Sequence, residues 1–495
     1  MILRCLEKAP VDRWTDAGAL LSALRAVEEP DKAASIASFH KTSIAVLPFK
    51  NMSADPEQDY FCEGLAEELI NGLTQIKDIR VVARTSAFSF QGKETDVREI
   101  GKKLNVENVL EGSVRKAGQK LRITAQLISV TDGYHLWSER FDREMSDVFA
   151  IQDEIAEAVA DKMKMGLSGG RSEGVPRRYT ENIEAYNLYL KGIYWRRMLT
   201  VDRVSKSVEY FRRAIQKDPG YALAYAGLAY AFLVLHSYSP TPQKDLYPKA
   251  LEAAGKALEL DDGLAEAHEA MGVIKSHWEW DLNEAEREQR KTLELNPGYI
   301  WAHFHLANIQ LYRGRFEEAI VGFKKAYELD PLNPAFSRNM SECYLHQGRL
   351  REAEEAIRNA IEIDPFLPMT WIFLGYVYLR QSRFEDALEA MKKDTTKGSF
   401  QELNLGIVYA RMGKREEALR ILDYGRERSQ REIVSAYYMA LLCFALDKKD
   451  QGFEWLENAY REHDIWMTSL KIDFLLDGVR DDPRYRSLLA KMNLA

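Results

Sequence analysis

Hydrophobic and polar positions follow two different periods along the chain. Between residues 43 and 166, short apolar runs such as SIAVLPF at 43–49 alternate with amphipathic stretches of helical period, such as 59–76 and 148–163. After about residue 180, apolar positions recur at helical spacing almost to the C-terminus. The pattern predicts a mixed domain of strands and helices, followed by an all-helical domain.

The mixed part contains more than one kind of strand connection. Residues 80–85 are predicted as a second strand and residues 96–104 as a second helix. Three segments between 108 and 141 then alternate apolar and polar residues, and the turn dipeptides Ala117-Gly118 and Asp132-Gly133 separate them. Such turns between alternating segments are typical of antiparallel hairpins. The predicted class is α/β with a three-stranded antiparallel part.

The helical part has an internal period. Residues that end a helix recur with spacings of 43, 35, 34 and 34, at Asp218, Asp261, Asn296, Asp330 and Asp364. Pairs of small residues 12 positions apart form a second regularity, at Ala307/Ala319, Ser341/Ala353, Gly375/Ala387, Gly406/Ala418 and Ala440/Gly452. Two antiparallel helices approach closely only where both present a small side chain. The two regularities therefore predict repeats of two helices, with a period of about 34 residues.

These features resemble the tetratricopeptide repeat (TPR) family. Five repeats from Ala265 to about Ser429 fit the pattern, and two less regular repeats precede them at 185–219 and 222–262. An eighth repeat occupies about 433–463. The resemblance implies an all-α, right-handed superhelical solenoid with about eight helix pairs.

The mixed part resembles the TolB-like domain. The runs VLPFKNMSADPEQDYFCEGLAEELINGL, RVVARTSAFSFQGK and GYHLWSERFDR carry this resemblance. In bacteria that domain often lies between a signalling domain and TPR repeats, and no reaction is attached to it. The resemblance implies a role in regulation or assembly.

The first residues resemble the last helices of a bacterial Ser/Thr protein kinase domain. The run CLEKAPVDRW carries the resemblance, and Arg13 takes the place of a buried structural arginine. The Gly-rich loop, the strand lysine, the H-R-D loop and the D-F-G motif of kinases do not occur in the sequence. The segment is interpreted as the C-terminal remnant of a kinase domain.

Small, polar, Gly and Pro residues accumulate in two stretches that are predicted to be linkers. The predicted organisation is a kinase remnant at 1–28, a linker at 29–42, the TolB-like α/β domain at 43–165, a linker at 166–180, the TPR solenoid at 181–469 and C-terminal capping helices at 470–495. A flexible linker between the α/β domain and the solenoid implies that the two fold independently.

Composition narrows the classes of function. The 495 residues include 68 Lys and Arg against 76 Asp and Glu, a net charge of −8, which argues against a nucleic-acid binder. Residues 79–122 are locally basic, but 132–161 are acidic, so internal pairing is favoured over phosphate binding. The four cysteines are scattered, and no signal peptide or membrane span is predicted. We therefore expect a cytoplasmic protein.

The motifs of zinc and nucleotide sites that would indicate catalysis do not occur in the sequence. It contains no H-E-x-x-H, G-x-G-x-x-G or complete phosphate-loop motif. The nine histidines do not cluster at metal-ligand spacing. No catalytic residue, cofactor or metal is predicted, and the protein is not expected to be an enzyme.

The concave groove of the solenoid is the predicted binding site. In TPR stacks one face of each first helix lines this groove. Counted from the small residues, that face carries Trp301, Phe304, Asn308, Tyr312, Arg338, Glu342, His346, Tyr376 and Arg380. Aromatic residues beside arginines suit an extended peptide or a partner helix. These side chains are expected to be exposed and dispensable for folding; the alternative is that they only pack against neighbouring repeats.

The predicted function is a non-enzymatic scaffold or regulatory arm in bacterial signalling, with a protein or peptide partner in the groove. One alternative is the regulatory C-terminal part of a Ser/Thr kinase whose catalytic domain is missing from this chain. Another is a role in envelope assembly, against which the missing signal sequence counts. The sequence predicts neither the partner nor the oligomeric state.

Overall fold

The computed structural model describes residues 42–494 apart from 56–57, 77–78, 165–178, 199, 239–240 and 397. The predicted kinase remnant, 1–28, lies outside the described residues, as do nearly all of the predicted linkers.

A mixed β-sheet forms the centre of the N-terminal part. Its strands are β1 (Thr42–Val46), β2 (Lys50–Asn51), β3 (Ile79–Val81), β4 (Asn108–Ala117), β5 (Lys120–Ser129) and β6 (His135–Glu144). The strand order is β3-β1-β4-β5-β6, and β2 also pairs with β4. Strands β1 and β2 run parallel to β4, whereas β4, β5 and β6 are antiparallel neighbours. The predicted α/β class with a three-stranded antiparallel part is confirmed by this pairing.

Four helices accompany the sheet. They are α1 (Asp59–Thr74), α2 (Arg84–Phe88), α3 (Val97–Leu104) and α4 (Val148–Lys164). Helix α1 buries Phe61, Leu65 and Leu69 in the core. The strand predicted at 80–85 is wrong beyond Val81, because Arg84–Phe88 is helical. In that helix the Ser86 backbone N–H and hydroxyl both donate to the Asp330 carboxylate, at 2.9 and 2.5 Å.

Eight antiparallel helix pairs follow within the described residues. They are α5 (Ile183–Arg196) and α6 (Val201–Lys217), α7 (Ala222–Tyr238) and α8 (Gln243–Leu260), α9 (Ala265–His277) and α10 (Leu282–Leu295), α11 (Ile300–Tyr312) and α12 (Phe316–Leu329), α13 (Pro334–His346) and α14 (Leu350–Ile363), α15 (Thr370–Arg380) and α16 (Phe384–Lys393), α17 (Ser399–Arg411) and α18 (Arg415–Ser429), and α19 (Ala436–Ala445) and α20 (Lys449–Arg461). Their positions agree with the repeats read from the sequence.

The paired small residues lie where the helices cross. The Ser341 hydroxyl donates a 2.7 Å hydrogen bond to the Ala353 carbonyl of the partner helix. At Gly375, an added Cβ would lie 2.5 Å from Cγ of Met391, closer than any ordinary contact. Small residues therefore set the distance between the two helices of a pair, as the spacing of 12 predicts.

The α/β part and the first repeats share one hydrophobic core. Gly64 in α1 lies so close to α5 that a Cβ would approach Leu190 Cδ2 to 2.8 Å. Farther along the solenoid, the Ala83 N–H donates to the Leu329 carbonyl at 2.9 Å. Residues from Ser43 onward form one compact unit. The expectation that the α/β part and the solenoid are joined only by a flexible linker, and therefore fold independently, is wrong. Buried apolar contacts join the α/β part to the first repeats.

The solenoid also closes on itself. The rings of Trp278 and Trp280, between α9 and α10, stack on His463 with centroid distances of 4.0 and 4.7 Å. Lys244 at the start of α8 forms a 2.9 Å ion pair with Glu462. The end of the last repeat therefore contacts the second and third repeats.

The C-terminal residues differ from the predicted capping helices at 470–495. Two 3₁₀ segments, Ile465–Ser469 and Phe474–Val479, precede a single α-helix, α21 (Pro483–Lys491). Helix α21 packs against α20 and covers the end of the solenoid, as expected of a cap. The 3₁₀ segments instead turn inward, because their apolar side chains Met467, Leu475 and Leu476 are buried against the repeats.

Within the described parts of residues 42–494, every helix is too short or too polar for a membrane span.

Candidate functional site

The concave surface of the solenoid has two halves, which different parts of the chain cover. First helices of the repeats supply residues to both halves: α5, α7 and α9 in the N-terminal half, and α13, α15 and α19 in the C-terminal half. The α/β domain covers the N-terminal half. Residues 465–479, called here the C-terminal segment, cover the C-terminal half.

Phe474 is the central side chain of the C-terminal segment. Its ring centroid lies 6.0 Å from that of Tyr376 and 6.3 Å from that of His346. The guanidinium carbon of Arg380 lies 5.1 Å from the centre of the Phe474 ring. Asp477 lies 3.8 Å from the same guanidinium. An aromatic residue followed three positions later by a carboxylate is therefore bound by a tyrosine and an arginine of α15.

Two partly buried aspartates hold the starts of the 3₁₀ turns. Asp464 accepts hydrogen bonds from the Ser435 hydroxyl at 2.7 Å and from the Trp466 N–H at 3.2 Å. Asp473 accepts from the Tyr437 hydroxyl at 2.8 Å and from the Leu475 N–H at 2.9 Å. Burial raises the pKa of both carboxyl groups. Each aspartate caps a turn and also fixes that turn to α19.

The sequence placed Tyr312, Glu342, His346, Tyr376 and Arg380 on the concave face, and all five face the C-terminal segment or its immediate neighbours. Their expected exposure is wrong. Tyr376 is 6% exposed. Tyr312 shares a hydrogen bond with Thr468, and burial raises the pKa of its hydroxyl. The chain's own C-terminal segment covers the strip, so these side chains also contribute to packing.

The other four predicted groove residues make contacts elsewhere than with the C-terminal segment. Arg338 donates to the Pro368 carbonyl at 3.2 Å, and Asn308 accepts a 2.9 Å hydrogen bond from Asn339. Trp301 and Phe304 form an aromatic cluster with Phe336, with centroid distances of 6.3 and 5.5 Å. The nine predicted residues therefore do not form one continuous strip. Phe304, Asn308 and Arg338 pack against neighbouring repeats, whereas Trp301 also lines a cavity in the N-terminal half.

The N-terminal half contains a cavity of about 190 Å³ between the α/β domain and the repeats, called here the inter-domain cavity. Its polar lining comes from both sides. The α/β domain contributes Glu67, Asn71, Thr74, Arg84 and Thr85, and the repeats contribute Tyr189, Arg196, Tyr230, Glu266, Glu269, Asn296, Tyr299 and Asp330. One rim is closed by a 3.1 Å hydrogen bond from the Asn296 amide to the Thr74 hydroxyl.

Several charges around the inter-domain cavity are compensated. Arg84 lies 3.6 Å from Glu67 in a partly buried ion pair. The guanidinium of Arg196 lies over the Tyr230 ring at 4.7 Å. Asp330 accepts hydrogen bonds from Ser86 and from Asn333. These contacts leave the carboxylates of α9 as the groups with the fewest partners.

Glu269 in α9 is fully buried, and neither of its carboxylate oxygens accepts a hydrogen bond from a described residue. His305 Nε2 lies 3.3 Å from Oε1 of Glu269. Burial raises the pKa of Glu266, and burial with the neighbouring Glu67 raises the pKa of Glu68 to about 8. The N-terminal half therefore concentrates buried carboxylates.

Sequence reasoning missed the inter-domain cavity. Helix α9 reads AEAHEAMGVIKSH, where Glu269 stands among small and apolar residues. That position was a usable signal, since a charged residue on an apolar helix face is rarely buried without a function or a partner. The facing residues of α1 and α2 belong to another part of the chain, so only the fold brings them together.

Family models match both parts of the chain. Tetratricopeptide repeat models match residues 310–369 and 402–423. A model described as "HilA/YgeH-like transcriptional regulator, second domain" matches residues 40–158. The helical part therefore contains TPR repeats, and the α/β part is similar to a domain of transcriptional regulators.

One curated relative is "Putative adenylate cyclase 3" of Rhizobium meliloti (strain 1021), which is 38% identical over 251 residues. The match covers 50% of this chain and 42% of that protein, so the chain spans less than half the length of this relative.

Two solved structures of low identity are similar to parts of the chain. A TPR protein from Parabacteroides merdae is 14% identical with a TM-score of 0.39, and covers 54% of this chain and 99% of its own. The human IFIT1 dimer with m7Gppp-AAAA is 14% identical with a TM-score of 0.45, and covers 70% of this chain and 80% of its own.

Proposed function

We propose that this protein is a non-enzymatic scaffold or regulatory arm in bacterial signalling, which binds a protein or peptide partner on the C-terminal half of its concave surface. The observation that carries the proposal is the seating of the C-terminal segment, an irregular stretch with peptide-like 3₁₀ turns. TPR repeats commonly act through such grooves. A partner would have to replace the contacts that Phe474 makes with His346, Tyr376 and Arg380.

The chemistry of that contact suggests the kind of partner. Phe474 occupies an aromatic pocket, and Asp477 reaches the same arginine three residues later. A partner peptide with an aromatic residue followed by an acidic one would reproduce both contacts. Such a peptide would compete with the C-terminal segment, so partner binding and release of that segment would be coupled.

A competition experiment tests this proposal. The full chain and its Phe474→Ala variant would be titrated into a labelled synthetic peptide with the sequence of residues 464–480, with anisotropy as the readout. The Phe474→Ala substitution weakens the contact of the chain's own C-terminal segment with the groove. It is therefore expected to tighten binding of the added peptide by about tenfold or more. Adding Arg380→Ala to the Phe474→Ala variant should remove the gain.

The control variant carries Glu318→Ala with Lys325→Ala on the outer face of α12, where both side chains are exposed. It should bind the peptide as the wild type does. Equal peptide affinity for the wild type, the Phe474→Ala variant and the Arg380 double variant would contradict a binding role for the groove.

We also propose that the α/β domain is TolB-like with a regulatory role. A cytoplasmic location is likewise proposed for the chain. The match to a domain of HilA/YgeH-like transcriptional regulators is compatible with a regulatory role. The proposal that nucleic acid is not a partner rests on the net charge of −8.

A second proposal is that the chain is the regulatory part of a signalling enzyme whose catalytic domain belongs to the same polypeptide or to another one. The relative named as a putative adenylate cyclase favours this class, and the kinase-like run CLEKAPVDRW favours a Ser/Thr kinase. Assays of the isolated chain for ATP binding, cyclic AMP formation and phosphate transfer should all be negative. Activity in any of them would contradict the non-enzymatic assignment.

A further inference from the structure

We propose that the inter-domain cavity binds a small organic cation, an ammonium compound of about six to eight non-hydrogen atoms, with Glu269 as its counter-ion. This site is separate from the groove around Phe474, and its ligand would join the α/β domain to the first repeats.

The size of the cavity limits the ligand. An apolar cavity of about 150 Å³ is large enough for benzene, which has six non-hydrogen atoms. The inter-domain cavity has about 190 Å³. It therefore accepts a diamine or a choline-sized molecule, and it is too small for a nucleotide or a peptide.

The charge of the lining selects a cation. Four carboxylates line the cavity, Glu67, Glu266, Glu269 and Asp330, against the two guanidiniums of Arg84 and Arg196. Glu67 pairs with Arg84, and Asp330 is satisfied by hydrogen bonds. The charge of Arg196 acts on Glu266, so Glu269 is the carboxylate of α9 that accepts no hydrogen bond from a described residue.

Glu269 is the group that points to a ligand rather than to a structural pair. A buried carboxylate without hydrogen bonds is costly, and proteins normally pair it. Oε2 of Glu269 has no hydrogen-bond partner among the described residues, and the Oε1 contact to His305 is an ion pair only when that imidazole is protonated. An ammonium group in the cavity would supply both the charge and the hydrogen-bond donors that Glu269 lacks.

Aromatic residues complete the site. Tyr189, Tyr230, Tyr299 and Trp301 line the same cavity. Aromatic faces attract organic cations, and such rings form the cages that bind quaternary ammonium ligands. Burial raises the pKa of the Tyr299 hydroxyl, and the charges of Glu269 and Glu266 add to that effect.

The lining does not suit a metal ion. Among the described residues, no group of three or more His, Cys, Asp and Glu side chains is arranged to hold one. The carboxylates of α1 and α9 lie on opposite sides of the cavity and are interleaved with aromatic and guanidinium groups. An organic cation fits this mixed lining, whereas a divalent ion requires converging oxygen ligands.

Calorimetry and thermal unfolding of the full chain test the proposal. The probes are 1,4-diaminobutane and choline, with 1,4-butanediol as the neutral analogue and succinate as the anionic one. The two cations are expected to bind and to raise the melting temperature, and the diol and the dicarboxylate are not. Glu269→Gln is expected to weaken the binding of both cations by about tenfold or more, because it removes the negative charge of the carboxylate and, for the diamine, the charge-assisted hydrogen bonds from its ammonium group.

Two further variants make the result decisive. Glu294→Gln on α10 is the matched control, because Glu294 is an exposed residue that forms an ion pair with Lys291, and this variant should bind the cations like the wild type. Glu266→Gln tests the site independently if Glu269→Gln lowers the stability of the unliganded fold. The proposal is overturned if neither cation binds, if the diol binds as well as the diamine, or if both cavity variants bind like the wild type.

Discussion

The N-terminal half of the concave surface is covered by the α/β domain, and the C-terminal half by the C-terminal segment. The first cover leaves a cavity of about 190 Å³ lined by carboxylates, arginines and tyrosines. The second leaves only about 30 Å³ around Phe474 and fills its half with aromatic and aliphatic side chains. The same repeat scaffold therefore carries a polar space that admits a small molecule and a tightly filled groove.

The difference follows from what covers each half. The α/β domain meets the repeats through a shared apolar core and through contacts such as Gly64 in α1 and Ser86 in α2, and a space remains beside these contacts. A short irregular segment adjusts its backbone to the groove and fills it. The α/β domain can thus leave space for a ligand. The C-terminal segment instead resembles the peptide partner with which it would compete.

The largest expected effect comes from breaking the core that the α/β domain shares with the first repeats. Gly192→Leu in α5 would place side-chain atoms against Phe211, where even a Cβ would lie 2.6 Å from the ring. Overpacking of this kind costs about 1–3 kcal/mol or more. Hydrogen exchange should then increase in α1 as well as in α5 and α6.

The matched variant is Gly375→Leu in the C-terminal half, where a Cβ would lie 2.5 Å from Met391. A similar cost is expected, but the faster exchange should stay within α15, α16 and their neighbours, because repeats contact mainly adjacent repeats. If α1 remained protected in the Gly192→Leu variant, the two parts would be independent after all.

The next effect tests the aromatic anchor of the C-terminal half. Phe474→Ala removes a partly buried ring from contact with Tyr376, His346 and Arg380, and should lower the free energy of unfolding by about 1–3 kcal/mol. Urea unfolding measures the cost. Phe366→Ala is the control, since that ring is 74% exposed and should contribute almost nothing.

A smaller, pH-dependent effect distinguishes the N-terminal half. Burial raises the pKa of Glu68 from its ordinary value of 4.5 to about 8 in the folded protein, so charging this group disfavours the fold as the pH rises through that window. Glu68→Gln should therefore match the wild type near pH 4 and have the higher melting temperature at pH 8. A constant difference between the two proteins from pH 4 to pH 8 would contradict the raised pKa.

The smallest expected effect concerns the ion pair in the C-terminal half. Asp477 is more than half exposed and lies 3.8 Å from Arg380, and exposed pairs of this kind contribute about 0–1 kcal/mol. Asp477→Asn should change urea unfolding by less than Phe474→Ala does. An effect as large as that of Phe474→Ala would mean that charge, rather than aromatic packing, holds the segment.

Local features of the repeats were predictable because they depend on residues close in sequence. Gly314, Gly348 and Gly413 follow first helices, and all adopt positive φ angles of 74–78°, as a glycine at the end of a helix predicts. The 12-residue spacing of small residues identified helix crossings such as Ser341 with Ala353. Helical period also placed Tyr376 and Arg380 on the concave face.

The solvent exposure of the residues on the concave face was not predictable from the sequence. Whether Tyr376 meets solvent depends on Phe474, which lies far along the chain and whose own segment has a weak helical pattern. The sequence predicts that the residues around Phe474 belong to a cap. Their apolar positions are compatible with covering either the end or the inside of the solenoid, so the pattern does not distinguish the two.

The sequence by itself determined the elements, the repeat period and the close crossings, since these follow from backbone preferences and from contacts between neighbouring helices. Only the tertiary structure decided what covers the concave surface. The inter-domain cavity combines Glu67 and Arg84 of the α/β domain with Glu266 and Glu269 of α9. Desolvation and charge pairing act across that space, and no local pattern encodes which charges from distant segments will share it.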